Sequence, residues 1–179
     1  MPSERSTPKD RIIFDRKEKE IRSGLEALWP RLWRFAYGIS RNRHDAEDLA
    51  QMTCLKALQN TARFKRGTHL DRWVFTICRN LWLNEIRSRK LRSGNGCIPV
   101  DETTPLIEQD GSETNIFASQ VLTQVMALPD AQRETVLLVY VEGFSYKEAA
   151  AILGIPVGTI MSRLAAARKA LAPMKATEK

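Results

Sequence analysis

The chain has 179 residues, 43% of them hydrophobic, with 28 Lys+Arg against 21 Asp+Glu and a net charge of +7. That is apolar material enough for packed cores, which excludes a disordered chain, and a positive balance that favours an anionic partner: nucleic acid, an acidic membrane surface or an acidic protein. No apolar run reaches bilayer-spanning length and "MPSERSTPKDRIIFDRKEKE" has no signal-peptide core, so the expected location is cytoplasmic; Cys54, Cys78 and Cys97 form no CxxC motif, which argues against a disulfide framework or structural zinc.

Residues 1–20 read as a charged N-terminal arm. From residue 21 the apolar periodicity is helical. Leu25, Leu28, Leu32, Phe35 and Ile39 recur at steps of three and four, and Ala46, Leu49, Ala50, Ala57 and Leu58 lie close to one face of the next helix. On the opposite side of that helix, in "RHDAEDLAQMTCLKAL", lie Asp45, Asp48, Gln51, Met52 and Leu55. An acidic and partly apolar stripe inside a basic segment suits a protein partner better than DNA, although by itself it also fits an ordinary solvated face.

Residues 21–92 carry 15 bases against 6 acids, and nine of those bases fall between Arg63 and Arg92 together with Trp73, Phe75 and Trp82. The run opens with a loop, Phe64 to His69, and enters a helix at about Leu70. Basic side chains hold a phosphate backbone, and an aromatic-lined loop accepts an unstacked base, a pairing that suits melted DNA better than intact duplex. The loop supplies Phe64, Lys65, Arg66 and His69 as candidates. The helix adds Arg87, Arg89, Lys90 and Arg92, while the spacing of Trp73, Ile77 and Leu81 places those three in the core.

Residues 93–115, "SGNGCIPVDETTPLIEQDGSETN", contain five acids and no base, with neither helical nor alternating period. They read as a flexible acidic linker. A second helical domain is expected over residues 116–173, with Val121, Leu122, Val125 and Leu128 on one face, followed by Val136, Leu137 and Tyr140; residues 174–179 form a tail. The expected fold class is therefore all-α, two small helical domains joined by a linker.

The C-terminal stretch "GFSYKEAAAILGIPVGTIMSRLAAARKAL" contains a corner. Ser145 and Glu148 have the spacing of a capping box. Gly154 suits a left-handed helix end and Pro156 a helix start. Ile160, Leu164, Ala167 and Leu171 form the buried face of the following helix, and the two short helices make a helix-turn-helix. Its outer face carries the small residues Gly158, Thr159, Ser162 and Ala165, which let a backbone approach a major groove, with Met161 among them and Arg163, Arg168 and Lys169 placed to meet phosphates.

Together these motifs resemble the extracytoplasmic-function sigma factors of bacterial RNA polymerase, over about residues 21–173. "DAEDLAQ" is similar to the family's region 2.2. "GTHLDRWVFTICRN" is similar to regions 2.3 and 2.4 and to the alphaproteobacterial general-stress members; its closing Arg79 and Asn80 join the minus-ten set. "ALPDAQRETVLLVYVEGFSYKEAAAILGIPVGTIMSRLAAARKAL" is similar to region 4 throughout. The resemblance implies a first domain that binds the clamp helices of the largest catalytic subunit and opens the minus-ten element. It implies a second domain that recognises the minus-thirty-five element on the polymerase flap, a linker that threads the active cleft, and an anti-sigma partner. No catalysis and no cofactor are implied. The chain departs from the family pattern at Met52, Asn84, Met161, Ala165 and Ala166; a recognition helix so poor in base-reading side chains is expected to read DNA largely through shape and backbone. The alternatives are a sigma mimic that titrates an anti-sigma factor and a free-standing helix-turn-helix regulator. A nucleic-acid enzyme lacks any supporting nucleophile, metal cluster or phosphate loop.

Overall fold

A computed structural model describes residues 8–65, 68–92 and 121–172, with side chains from Lys17 onward. Every element among the described residues is helical. The acidic linker, Arg66 and the C-terminal tail lie outside the described residues.

Helix α1, Pro8–Ser40, is continuous for 33 residues, so most of the expected N-terminal arm belongs to the same helix as the first core face. Its inner face is the one the periodicity marks: Leu32, Phe35 and Ile39 are buried, with Leu25 just behind them. Arg41 ends the helix in the left-handed region, at φ 61, a conformation costly for a residue with a Cβ. Its N–H closes onto the carbonyl of Tyr37 at 2.7 Å. Asn42 then caps helix α2, Arg43–Gln59, accepting from the Asp45 amide. Ala46, Ala50 and Ala57 line the buried side of α2, and side chains that small bring α2 close against α1.

After a 3-10 turn at Thr61–Arg63, helix α3 runs Leu70–Arg92. Its buried residues are Val74, Phe75, Cys78 and Trp82, whereas Trp73, Ile77 and Leu81 are only partly buried. The expected face is thus rotated by about one residue. The cause is that α3 is covered from two directions, by α1 and α2 on one side and by the C-terminal half on the other. Phe75 stands where these meet, 5.1 Å from Phe35 of α1 and 5.1 Å, edge-on, from Phe144.

The C-terminal half begins with helix α4, residues 121–127, and helix α5, Asp130–Val136. A π turn over Leu137–Val141 follows, in which the Glu142 amide reaches back five residues to the Leu137 carbonyl at 2.9 Å. That extra residue per turn rotates the face outward, so Tyr140, expected inside, is 55% exposed and Leu138 takes the buried place. Helices α6, Tyr146–Leu153, and α7, Val157–Leu171, complete the fold. The buried residues of both halves form one continuous core.

Candidate polymerase and nucleic-acid interface

The α6–α7 corner follows from local chemistry. The Ser145 hydroxyl accepts from the Glu148 amide, and the Glu148 carboxylate accepts from the Ser145 amide at 2.9 Å and hydroxyl at 2.8 Å. These bonds hold the Glu148 carboxyl below the usual glutamate range. Gly154 ends α6 in the left-handed region at φ 61, and Pro156 occupies the N-cap of α7. The two axes diverge by 103°. Helix α7 buries Ile160, Leu164 and Ala167 and leaves Gly158, Met161, Ser162, Ala165, Ala166, Arg168 and Lys169 exposed; Thr159 and Arg163 are half-buried. A Cβ added at Gly158 would meet nothing within 4 Å, so the front of the helix is open to a close approach.

In the N-terminal half, the α2 stripe is divided. Gln51, Met52 and Leu55 are exposed, and Asp48 is exposed beside His44, whose ring lies 3.2 Å away. Asp45 is instead gripped by Arg89 of α3 through two bonds of 2.7 and 2.8 Å, and Arg89 also donates to Glu85 at 2.7 Å while its guanidinium lies over the Trp82 ring. Sequence reasoning placed Arg89 with the free phosphate-binding bases; its three partners withdraw it from that set. Between α2 and α3 runs a groove of about 460 Å³ lined by Leu49, Met52, Leu81 and Trp82, with Asp48, Asn84 and Arg89 among its polar walls. The α3 side of this groove was missed from sequence. Its signal was present in Trp82, Glu85 and Arg89, which share one face at steps of three and four.

Of the minus-ten candidates, Lys65, His69, Asn80, Arg87 and Lys90 are exposed. Arg87 rests on Asn84 at 3.3 Å. Phe64 departs from expectation: it is buried at 3% exposure, 5.2 Å from the Trp73 ring, because the 3-10 turn folds it inward onto α3. It anchors the loop rather than presenting an open stacking face. Arg79 also departs. It is half-buried and pairs with Glu134 of α5 at 3.6 Å. Burial raises the Glu134 carboxyl above its ordinary range, against the pull of Arg79 and Arg163.

Further cross-half contacts escaped the sequence reading. Arg31 donates to the Glu142 carboxylate at 2.9 Å and to its carbonyl at 2.7 Å, Arg34 lies 3.6 Å from the same carboxylate, and Arg72 lies 3.8 Å from Glu148. Arg133 is fully enclosed and donates to the Gly38 and Leu128 carbonyls and to Asp130, each at 2.7 Å. The available signal was a lone glutamate inside an apolar run, "VLLVYVEGF", since a buried carboxylate requires a cation. Among the described residues no group of acids, histidines and cysteines is placed to hold a metal, and no single helix is long and apolar enough to cross a membrane.

Residues 25–92 match the family model described as Sigma-70 region 2, and residues 118–171 match Sigma-70, region 4. The ECF RNA polymerase sigma factor EcfG of Rhodopseudomonas palustris is 38% identical, over 86% of this chain and 84% of its own length. The ECF RNA polymerase sigma factor SigE of Mycolicibacterium smegmatis is 34% identical, over 79% of this chain and 56% of its own. Among solved structures, the sigma factor RpoE of Bartonella quintana, in complex with the anti-sigma factor NepR, superposes with a TM-score of 0.74 at 32% identity, covering 90% of this chain and 99% of that one. The α2–α3 groove and the open helix-turn-helix thus lie in the two sigma regions, in order along one chain, and the chain belongs to the extracytoplasmic-function group of RNA polymerase sigma factors.

Proposed function

We propose that this sigma factor docks on core RNA polymerase through Asp48, Gln51, Met52 and Leu55, with the adjoining α2–α3 groove, and brings the enzyme to promoters through α7. The single observation that carries the DNA half of this reading is the outward face of α7. It combines an open Gly158, small exposed side chains and the bases Arg168 and Lys169 on a helix whose other face is buried. Such a face admits a phosphodiester backbone closely while offering few hydrogen bonds to base edges, which favours recognition by shape. Lys65, His69, Asn80, Arg87 and Lys90 are assigned to the minus-ten element, with Arg66 from sequence alone. Their part is to hold the separated strand while the duplex opens, the work of binding rather than catalysis. An anti-sigma protein is the expected regulator, by analogy with the complex formed by the Bartonella relative. The expected site of action is the cytoplasm.

The test is run-off transcription with core polymerase on a panel of candidate promoters. Discrete transcripts that need both this chain and a defined upstream element support the reading. A chain that binds an anti-sigma protein but never directs initiation would instead be a titrating mimic.

A further inference from the structure

Helix α7 has two unlike flanks on either side of its buried face. Thr159 and Arg163 stand on one, turned toward α5, where Arg163 donates to the Ala131 carbonyl at 3.5 Å. On the other, Val157, Met161, Ala165 and Arg168 follow one another at steps of four, four and three, and all four are exposed. Val157 is 37% exposed and Met161 55%, two large apolar side chains left in water at the start of the helix. We propose that Val157 and Met161 are specificity-determining residues that read thymine, by apolar contact with its C5-methyl group in the major groove, and so give the upstream element its sequence dependence. The inference deepens, and rests on, the reading that α7 meets duplex DNA.

Position comes first. Val157 opens α7 and Met161 lies one turn further on. In a helix-turn-helix the N-terminal residues of the second helix are the ones that reach base edges. Gly158, between them, is open in front, so the backbone can approach closely enough for both side chains to touch the bases. Chemistry comes next. Neither side chain is a hydrogen-bond donor, and the C5-methyl of thymine is the apolar group that a base pair displays in the major groove. A single exposed apolar side chain needs no account. Two on one flank, followed two turns later by the cation Arg168, match a groove with apolar methyls on its floor and phosphates along its wall. A purely apolar protein partner would instead leave Arg168 desolvated without an anion. Spacing sharpens the assignment. Four residues of helix span about 6 Å and successive base pairs lie about 3.4 Å apart, so the two methyls belong to thymines about two base pairs apart. Contact of this kind adds base identity to a face that offers few hydrogen bonds.

The test uses holoenzyme assembled from the full chain and core polymerase, on a promoter whose transcription needs its upstream element. Each thymine of that element, on either strand, is replaced in turn by deoxyuridine, which lacks only the C5-methyl and keeps every hydrogen-bonding group. The half-saturating promoter concentration in run-off transcription is measured for wild type, Met161→Ala and Val157→Ala, and circular dichroism checks the helix content. Wild type is expected to lose about fourfold at each of two positions, the factor that corresponds to one buried methyl-sized group. Met161→Ala binds the thymine promoter less tightly and no longer distinguishes deoxyuridine at one of these positions, and Val157→Ala does the same at the other. Met161→Leu, apolar and of similar size, keeps the discrimination. A merely structural role would weaken binding without abolishing the response to one methyl. Wild type indifferent to every replacement overturns the inference, and so does an element that holds no A·T pair. Alanine variants as sensitive to deoxyuridine as wild type overturn it too; if they have also lost affinity for core polymerase, the flank belongs to a protein partner. If an alanine variant loses its helices, Met161→Gln decides by the same comparison. A chain that directs no transcription dependent on an upstream element defeats the reading of α7 and this inference with it. Indifference to the methyls on a promoter that does need the element overturns this inference alone.

Discussion

Arg133 of α5 donates through Nε to the carbonyl oxygen of Gly38, two residues before the last residue of α1, at 2.7 Å. A helix leaves its last carbonyls without partners, and here one is satisfied from the other half of the chain by a side chain only 1% exposed. Truncating it orphans two backbone carbonyls, while the largely exposed Asp130 carboxylate passes to water. Arg133→Ala is expected to destabilise by about 1–3 kcal/mol for each buried carbonyl left without a donor. Arg133→Lys keeps the charge without the fork and should recover only part. Urea denaturation of both variants checks the order.

Gly38 also meets Leu137. A Cβ at position 38 would collide with the Leu137 side chain, which is itself buried. Gly38→Ala is expected to destabilise by about 1–3 kcal/mol through overpacking. With Leu137→Ala already in place the collision is gone, and the same substitution should become neutral or stabilising, because alanine favours a helix over glycine by about 1 kcal/mol. A double-mutant cycle in urea reads the change of sign.

The Ser145–Glu148 cap carries a pH signature. The folded Glu148 carboxyl ionises at lower pH than in the unfolded chain, chiefly because Ser145 donates to it. Its contribution is therefore fully present above the ordinary glutamate range and is lost as pH falls through the lower folded value. Ser145→Ala should cost about 1 kcal/mol at neutral pH. The gap between variant and wild type should narrow on acidification below about pH 4, and a gap that stays constant across a pH series of melting curves contradicts the assignment.

At the proposed polymerase surface, Asp48→Lys with Gln51→Ala changes exposed side chains on α2 and leaves the Asp45–Arg89 pair untouched. Affinity for core polymerase should fall about tenfold, roughly 1.4 kcal/mol, with helix content unchanged. Undiminished binding in a competition assay removes this stripe from the contact.

Replacing Lys65 and His69 by Ala should leave polymerase binding intact and reduce open-complex formation. Holding a separated strand must offset an unstacking cost of a few kcal/mol per base. A template already mismatched at its minus-ten region meets that cost itself, so the loss should shrink there. Permanganate reactivity on matched and mismatched templates distinguishes the cases, and an equal loss on both assigns the loop to duplex anchoring.

What the sequence made legible was local. The all-α class, the α1 and α2 faces and the α6–α7 corner rest on residues within a turn or two of each other, and the cap and Gly154 stand as read. The α3 face was misplaced by one residue because period reports how wide an apolar stripe is, not how many neighbours cover it. Tyr140 was placed inside because a π turn has no distinct period. Asp45 and Arg79 were read as free because their partners, Arg89 and Glu134, lie 44 and 55 positions further along the chain. Charge at such a distance leaves no pattern to count.

That separation also orders events during synthesis. Arg31 and Glu142 are 111 residues apart, and Gly38 and Arg133 are 95 apart. While the ribosome is still adding the C-terminal half, the end of α1 has no Arg133, and Phe75 has Phe35 on one side with no Phe144 on the other. The nascent chain therefore presents Phe75 without its Phe144 cover, with Arg31 beside it, until residue 144 has emerged. During that interval the newborn protein is at its most adhesive, both to nucleic acid and to any chaperone that binds basic and apolar surface.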